Sequence, residues 1–368
     1  MAGLAPAPFG CMILADLGAD VLQVRRAGGG SAIVAPAGPL DRGRRTIAVD
    51  LKNPEGLAAL LDVVDQADVF VEGFRPGAAE RLGVGPEDLL ARNPRLVYGR
   101  MTGWGQEGPL APRAGHDINY IALAGALEPI GRAGQRPHAP LNLLGDFAGG
   151  GLLLAMGIAS ALYERERSGK GQVVDAAMVD GANLLMSFLH GMRANGLWEG
   201  GRGENLLDGA APFYDTYECA DGGYVAVGCV ENQFYQQLLA GLGIDEEAEG
   251  LSFQLDPTGW DLARSVLTAK FKERTRDEWA ELFAESDACV TPVLSPWEAG
   301  EHPHNAARAA FVEVDGLTQP APAPRFGRTP NAAPRPADEG GRNVVATLGD
   351  WGIARERAER LCSEGLFA

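Results

Sequence analysis

Stretches patterned for helix and for strand alternate through the first half of this chain, and that alternation limits its fold more than any other feature. Residues 8–17 read as a helix stopped at Gly18, followed by a strand over residues 19–24. Residues 46–49 read as a strand, 54–66 as a helix and 68–71 as a strand. Gly85 and Pro86 open a helix to about Ala91, and residues 95–101 form a further strand. Strands separated by helical stretches build βαβ units, whose strands lie parallel. The expected fold class is α/β, a large domain with a Rossmann-like parallel sheet.

A helix is expected over residues 146–167, a strand over 172–175 and another apolar helix over 176–192. Composition changes after about Gly196, where residues 195–209 are rich in glycine and asparagine. Residues 213–219 and 224–230 flank Ala220-Asp221-Gly222-Gly223, a hairpin signal because Asp-Gly supplies the positive φ of a tight turn. Helices follow at 232–242 and 275–284, the second opened by a capping box from Thr275 to Glu278. The expected organisation is a large α/β domain over residues 1–195, a linker over 196–212 and a small α+β domain over 213–310. A return segment over 311–368 is extended through its proline-rich part, residues 319–336, and ends in a helix packed on the large domain.

The chain has 368 residues and a net charge of −17, which argues against a general nucleic-acid or anionic-membrane binder. Residues 25–52 nevertheless hold six basic residues against two acidic ones. Such an island suits a small polyanion better than a polymer. The five cysteines are scattered, as expected of reduced thiols in a cytoplasmic protein. The longest apolar stretch, residues 147–163, is glycine-rich and shorter than the ~20 residues a bilayer span needs, so it reads as a buried helix.

Six motifs bear on chemistry. Gly103-Trp104-Gly105-Gln106-Glu107-Gly108 spells a dinucleotide fingerprint, but Pro109 and Pro112 follow and no helix begins within it. It is expected to be a structured loop, and no nicotinamide cofactor is implied. Gly115-His116-Asp117-Ile118-Asn119-Tyr120 offers an imidazole able to take and return a proton near neutrality, or simply a satisfied hydrogen-bonder. Asp146 stands between Gly145 and Phe147 at an expected helix start, where it reads as an N-cap, a catalytic carboxylate or both. The glycines at 149–151 would let another group approach the backbone, and the helix start would offer N–H donors to an oxyanion. Glu231 precedes a helix, and Arg75 and Arg81 suit phosphate or a surface ion pair. His302 and His304 lack a third ligand at sensible spacing, so no metal is assigned.

Taken in order, these stretches resemble the α-methylacyl-CoA racemases of the family III CoA-transferase group. GHDINY at 115–120, APLNLLGDFAGGG at 139–151, GKGQVVDAAMVDG at 169–181 and residues 205–235 carry the match, which runs from about residue 2 to about 335. ADLGAD, EGFRPG, RMTGWGQ and SDACVTPVL are similar to family text as well. The resemblance implies His116 and Asp146 as catalytic residues, Glu231 as partner of the histidine and Asn142 beside the aspartate. It places coenzyme A contacts at Arg26, Ala48, Val49, Asp50, Leu51, Arg75, Arg81, Ala114, Gly115, Asp117, Ile118 and Asn119.

The implied activity is inversion of 2-methyl-branched acyl-CoA thioesters by two-base proton transfer through an enolate. It needs no cofactor, coenzyme A being part of the substrate. Enolate-stabilising N–H donors are expected at the Asp146 helix start and its glycines. The alternatives are CoA transfer with Asp146 as nucleophile, or a catalytically inactive CoA-binding dimer. The resemblance also implies an interlocked homodimer in which Glu231 acts across subunits. Two departures stand out. The family's opening G-x-x-V-x-E-L strand is missing, so the sheet is expected to lose a strand, and the glycine-rich segment 27–43 is expected to be long and flexible.

Overall fold

The computed structural model describes residues 1, 5–27, 38–338 and 343–367, so most of the glycine-rich segment lies outside the described residues. The chain forms two units. One comprises Met1–Ala124, Pro140–Leu185 and Arg308–Ala368, and the other Gly125–Ala139 and Met186–Ala307.

The first unit opens with α1 (Pro6–Asp16), β1 (Val21–Arg26), β2 (Arg44–Val49), α2 (Pro54–Asp65) and β3 (Val69–Glu72). It continues through α3 (Ala78–Arg81), α4 (Pro86–Arg92), β4 (Val97–Thr102) and α5 (Asp117–Leu123). Proline opens α1, α2 and α4, where its missing N–H would be unpaired in any case. A long helix follows, π-wound over Leu143–Leu152 and α-wound as α6 (Leu153–Ser168), then β5 (Val173–Ala177) and α7 (Met178–Leu185). After the second unit the chain returns as the hairpin β9 (Phe311–Val314) and β10 (Leu317–Pro320), then α14 (Val344–Asp350) and α15 (Arg355–Ser363).

The expected parallel sheet is present as two parallel pieces, β1–β2 and β3–β4–β5. β1 and β3 do not pair; a cavity of about 440 Å³ is lined by Val21, Leu22 and Val24 of one and Val69, Phe70 and Val71 of the other. The Met1 amino group donates to the Val71 carbonyl at this cavity, and burial pushes its pKa down. α14 and α15 bury Leu348, Ala358 and Leu361 in one core with Ile47, Leu60 and Tyr98.

The long helix departs from expectation in length. Leu143–Ser168 spans 26 residues at a mean hydropathy of 1.5, long and apolar enough by composition to cross a membrane. Within its unit it instead packs against α1, β4, β5 and α7. The glycines are what allow this. A Cβ on Gly149 would stand 2.8 Å from the Ala182 amide nitrogen of α7, and one on Gly10 would stand 2.7 Å from the Gly151 carbonyl oxygen. The groups that approach the triple glycine are thus the backbones of α1 and α7. Gly149→Ala is expected to cost about 1–3 kcal/mol through overpacking, more than the ~1 kcal/mol that alanine gains in a helix. A thermal melt checks it, and an unchanged midpoint would contradict the close approach.

In the second unit, α8 (Ser187–Ala194) precedes an antiparallel sheet of β6 (Tyr214–Glu218), β7 (Tyr224–Gly228) and, added later, β8 (Val290–Pro292). Between β7 and β8 lie α9 (Asn232–Leu242), α10 (Glu246–Glu249), α11 (Trp260–Phe271) and α12 (Arg276–Phe283); α13 (Pro303–Ala307) follows β8. Tyr217, Phe271, Trp279 and Phe283 run ring to ring through its core, and Phe213 meets Tyr235 and Trp260 edge-on.

Three boundaries differ from those expected. Strand β5 runs on to Ala177, and the helix expected over 176–192 is two helices interrupted at Met186. Residues 196–212 are a folded loop of the second unit, with buried Asn205 bonded to Gly200, Gly201 and Asp208. Gly125–Ala139 also belongs to that unit, where Arg132 pairs with Asp215 at 2.6 Å and Arg202 with Glu128 at 3.1 Å. These ties are polar and distant in sequence, so no periodic pattern announces them.

Candidate active site

A cavity of about 320 Å³ in the first unit is lined by His116, Asp146, Arg75, Arg113, Tyr120 and Trp104, among others. Its rim is built from turns. The loop after β4 carries Gly105 and Gly108 at φ of +87° and +91°, and Thr102 Oγ1 accepts from the Gly105 N–H at 3.0 Å. The next helix begins only at Asp117, so the Gly103–Gly108 stretch has no helix start to hold a pyrophosphate. The loop after β3 presents Gly73, Phe74, Arg75 and Pro76. Its base is fixed by Glu72, fully buried, which accepts from the Phe74 N–H at 2.6 Å and from Arg100 at 3.0 Å.

His116 stands at the N-cap position of α5 with its side chain exposed, and its backbone N–H donates to Asn119 Oδ1 at 3.0 Å. Tyr120, one turn on, donates its hydroxyl to the Gly115 carbonyl and packs edge-on against Trp104 at 4.7 Å. Burial pushes the Tyr120 hydroxyl pKa up to about 12, so it is a fixed donor at neutral pH.

Asp146 is not the N-cap its position suggested. The helix begins earlier, with Asn142 at the cap position, and Asp146 lies inside the π-wound turns. Asn142 Nδ2 donates to Asp146 Oδ2 at 3.0 Å. Partial burial pushes the Asp146 carboxyl pKa up from its ordinary value; the Asn142 bond opposes this, the Asp117 charge adds to it, and His116 opposes it. The N–H groups of Gly145 and Asp146 donate to Asp117 Oδ1 at 2.6 and 2.7 Å. They are therefore engaged, and the Asp146 helix start does not supply the enolate-stabilising donors expected of it. Gly149–Gly151 are packed against α1 and α7 and do not supply them either.

Of the remaining expected positions, Ala114 and Gly115 line the same cavity, whereas Ile118 and Asn119 are exposed on α5. Arg26 is exposed at the end of β1, and Ala48-Val49-Asp50-Leu51 ends β2, with Val49 buried and Lys52 N–H bonded to Asp50. Arg75 and Arg81 are exposed. The basic island is only partly available to a polyanion: Arg42 pairs with Asp16, Arg44 with Asp41, and Arg45 with Asp20 and Asp350. Glu231 lies in the second unit at the N-cap position of α9, exposed. Asp117 is 5 % exposed, its carboxylate taken up by the two N–H groups described above. Neither Glu72 nor this bridging role of Asp117 was singled out from sequence, although an acid next to a motif histidine is the signal that could have found the second.

The α/β unit with its parallel strands and this cavity point to one class of protein. The chain belongs to CoA-transferase family III, whose pattern matches residues 1–342. Among its relatives it is 47% identical to α-methylacyl-CoA racemase of Mus musculus, over 99% of this chain and 94% of that one. It is 45% identical to α-methylacyl-CoA racemase of Homo sapiens, over 100% of this chain and 95% of that one. Among solved structures it is similar to a CAIB/BAIF family protein from Brucella suis, with a TM-score of 0.77 and 27% identity, covering 95% of this chain and 97% of that one.

Proposed function

We propose that this chain is a racemase of 2-methyl-branched acyl-CoA thioesters, with His116 and Asp146 as its two proton-transfer groups. The observation that carries this reading is that an imidazole and a carboxyl of raised pKa line one cavity. Inversion at an α-carbon needs a base on one face and an acid on the other. One group takes the α-proton, the C–H electron pair passes into the enolate, and the conjugate acid of the other returns a proton to the opposite face. The two groups then hold exchanged protonation states, and the reverse turnover resets them. The upward shift of the carboxyl makes it a stronger base than an ordinary carboxylate, which suits it to taking a weakly acidic α-proton.

Arg26, Arg75 and Arg81 are exposed and would meet the phosphates of coenzyme A. A homodimer would bring Glu231 of the partner subunit to orient His116. In the rival reading, Asp146 attacks the thioester and the CoA group moves to a second acid. His116 then has no role, which is why its presence in the cavity favours proton transfer.

The test is incubation of one enantiomer of a 2-methylacyl-CoA in deuterated water with no acceptor acid. Deuterium at the α-carbon together with loss of optical activity is the expected result. CoA transfer on adding a carboxylate, without prior exchange, would replace this reading by the transferase, and no reaction in either format would leave only a binding protein.

A further inference from the structure

Asp117 is the first residue of α5, directly after His116. Its Oδ1 accepts the N–H groups of Gly145 and of Asp146 itself, 28 and 29 residues away in sequence. We propose that Asp117 is a positioning residue, whose buried carboxylate ties the turn bearing Asp146 to the start of the helix bearing His116 and so fixes how the two groups face one substrate carbon. The proposal rests on the two-base reading given above.

Three observations separate this from ordinary helix capping. A capping side chain normally serves its own helix start two or three residues on. Asp117 instead reaches a different helix and takes the backbone of the catalytic residue. The approach is also built in: a Cβ at position 145 would stand 2.6 Å from Asp117 Oδ1, so only glycine admits the carboxylate. Finally, Asp117 Oδ2 is buried with no hydrogen-bond partner among the described residues. Its charge is thus only half answered, and the nearby Asp146 carboxyl carries the consequence, lifted first by burial and then by Asp117.

The other charged or titratable groups around Asp146 are His116 and Tyr120 from α5 and Arg75 and Arg113 from the cavity rim. Of the other helices packed on this segment, α1 holds Asp16 against Arg42, and Asp180 of α7 acts on Asp175. The link itself is short. From the His116 backbone it runs through one peptide bond, one short carboxylate side chain and one hydrogen bond to the Asp146 backbone, with no long side chain to loosen it. Misplacement by about 1 Å at such a point costs on the order of 10²-fold in rate.

Asp117→Asn keeps an oxygen acceptor and removes the charge, whereas Asp117→Ala removes both. The Asp146 carboxyl is titrated by infrared spectroscopy in the wild-type protein and in Asp117→Asn, its band assigned by its absence in Asp146→Asn. The expected midpoint falls by roughly one pH unit in Asp117→Asn, because a neighbouring like charge has gone. The limb of the kcat profile that reports Asp146 should move the same way, with KM changed by less than about twofold. Asp117→Ala should lower kcat on the order of 10²-fold at near-constant KM.

An unmoved Asp146 midpoint in Asp117→Asn overturns the proposal. So does a raised KM at unchanged kcat, which would make Asp117 a substrate contact. If Asp117→Ala does not fold, the Asp117→Asn titration still decides. If the wild-type protein exchanges no α-proton the racemase reading falls, while the infrared titration, which needs no turnover, still judges the Asp117–Asp146 coupling.

Discussion

Replacing the Asp146 carboxyl by an amide is expected to cut α-proton exchange by roughly 10²–10⁴-fold while leaving the chain folded. Asparagine keeps the size of the side chain and an oxygen for the Asn142 amide, which now reaches Asp146 Oδ2 at 3.0 Å. It can neither take nor give the proton. The stability effect should run the other way, and its sign follows from burial. Because burial raises this carboxyl, the folded chain holds its proton more tightly than the unfolded chain does. The group's contribution to stability is complete below the ordinary carboxylate range and is lost as pH rises through the raised value. Asp146→Asn, with no charge to bury, should therefore gain in melting temperature relative to wild type as pH rises across that window. Melts at pH 4 and pH 7 beside the exchange assay would show it. Retained exchange in this variant would remove Asp146 from the mechanism.

The second large effect is structural. Arg42 and Asp16 form a buried bidentate pair at 3.0 and 2.5 Å, with side chains 4% and 5% exposed. The same guanidinium donates to Gln319 Oε1 at 2.9 Å and to the Pro320 carbonyl at 2.7 Å, binding α1 to the β9–β10 hairpin. Asp16→Ala strands that cation, and breaking one half of a buried pair costs about 3–5 kcal/mol. For a domain of this size the transition of the first unit should fall by roughly 6–20 °C. Removing both charges, as Asp16→Leu with Arg42→Met, should restore most of the loss, since no buried charge is then left alone. Scanning calorimetry on the single and double variants decides. A single variant melting with the wild type would show that water reaches Arg42 in solution.

Much of this was legible in the chain itself, and the parts that were not have physical reasons. The alternation of apolar periods located β2, α2, β3 and β4 because each element's burial repeats along its own sequence. His116 and Asp146 stood out as polar residues interrupting apolar or glycine-rich text, Asn142 came only from the family resemblance, and the fold brings Asn142 onto Asp146. The side-chain role of Asp117 was not legible, because it is fixed by two amides some thirty residues on that carry no residue-type signal. The split of the sheet beside β1 and β3, and the allegiance of Gly125–Ala139 to the second unit, likewise depend on contacts between distant segments. Sequence read the triple glycine as letting another group approach the backbone, without saying which. Its neighbours are the backbones of α1 and α7, a packing demand that looks identical when only residue types are read.

The π-wound turns over Leu143–Leu152 have a consequence for how this region can change over generations. A π turn holds one residue more than the α turn it replaces, so the segment behaves like an inserted residue that the fold has kept. Deleting one residue between Asp146 and Leu152 would let one of these wide turns tighten to the winding of α6, with the turns on either side kept in phase. An insertion or deletion that the winding does not absorb would instead turn Asp146 by about 100° per residue, away from the cavity and from the Asp117 oxygen. Substitutions along these ten residues act one by one, whereas a change in their number acts on the phase of the whole segment. In this stretch the number of residues bears on the site separately from their identities.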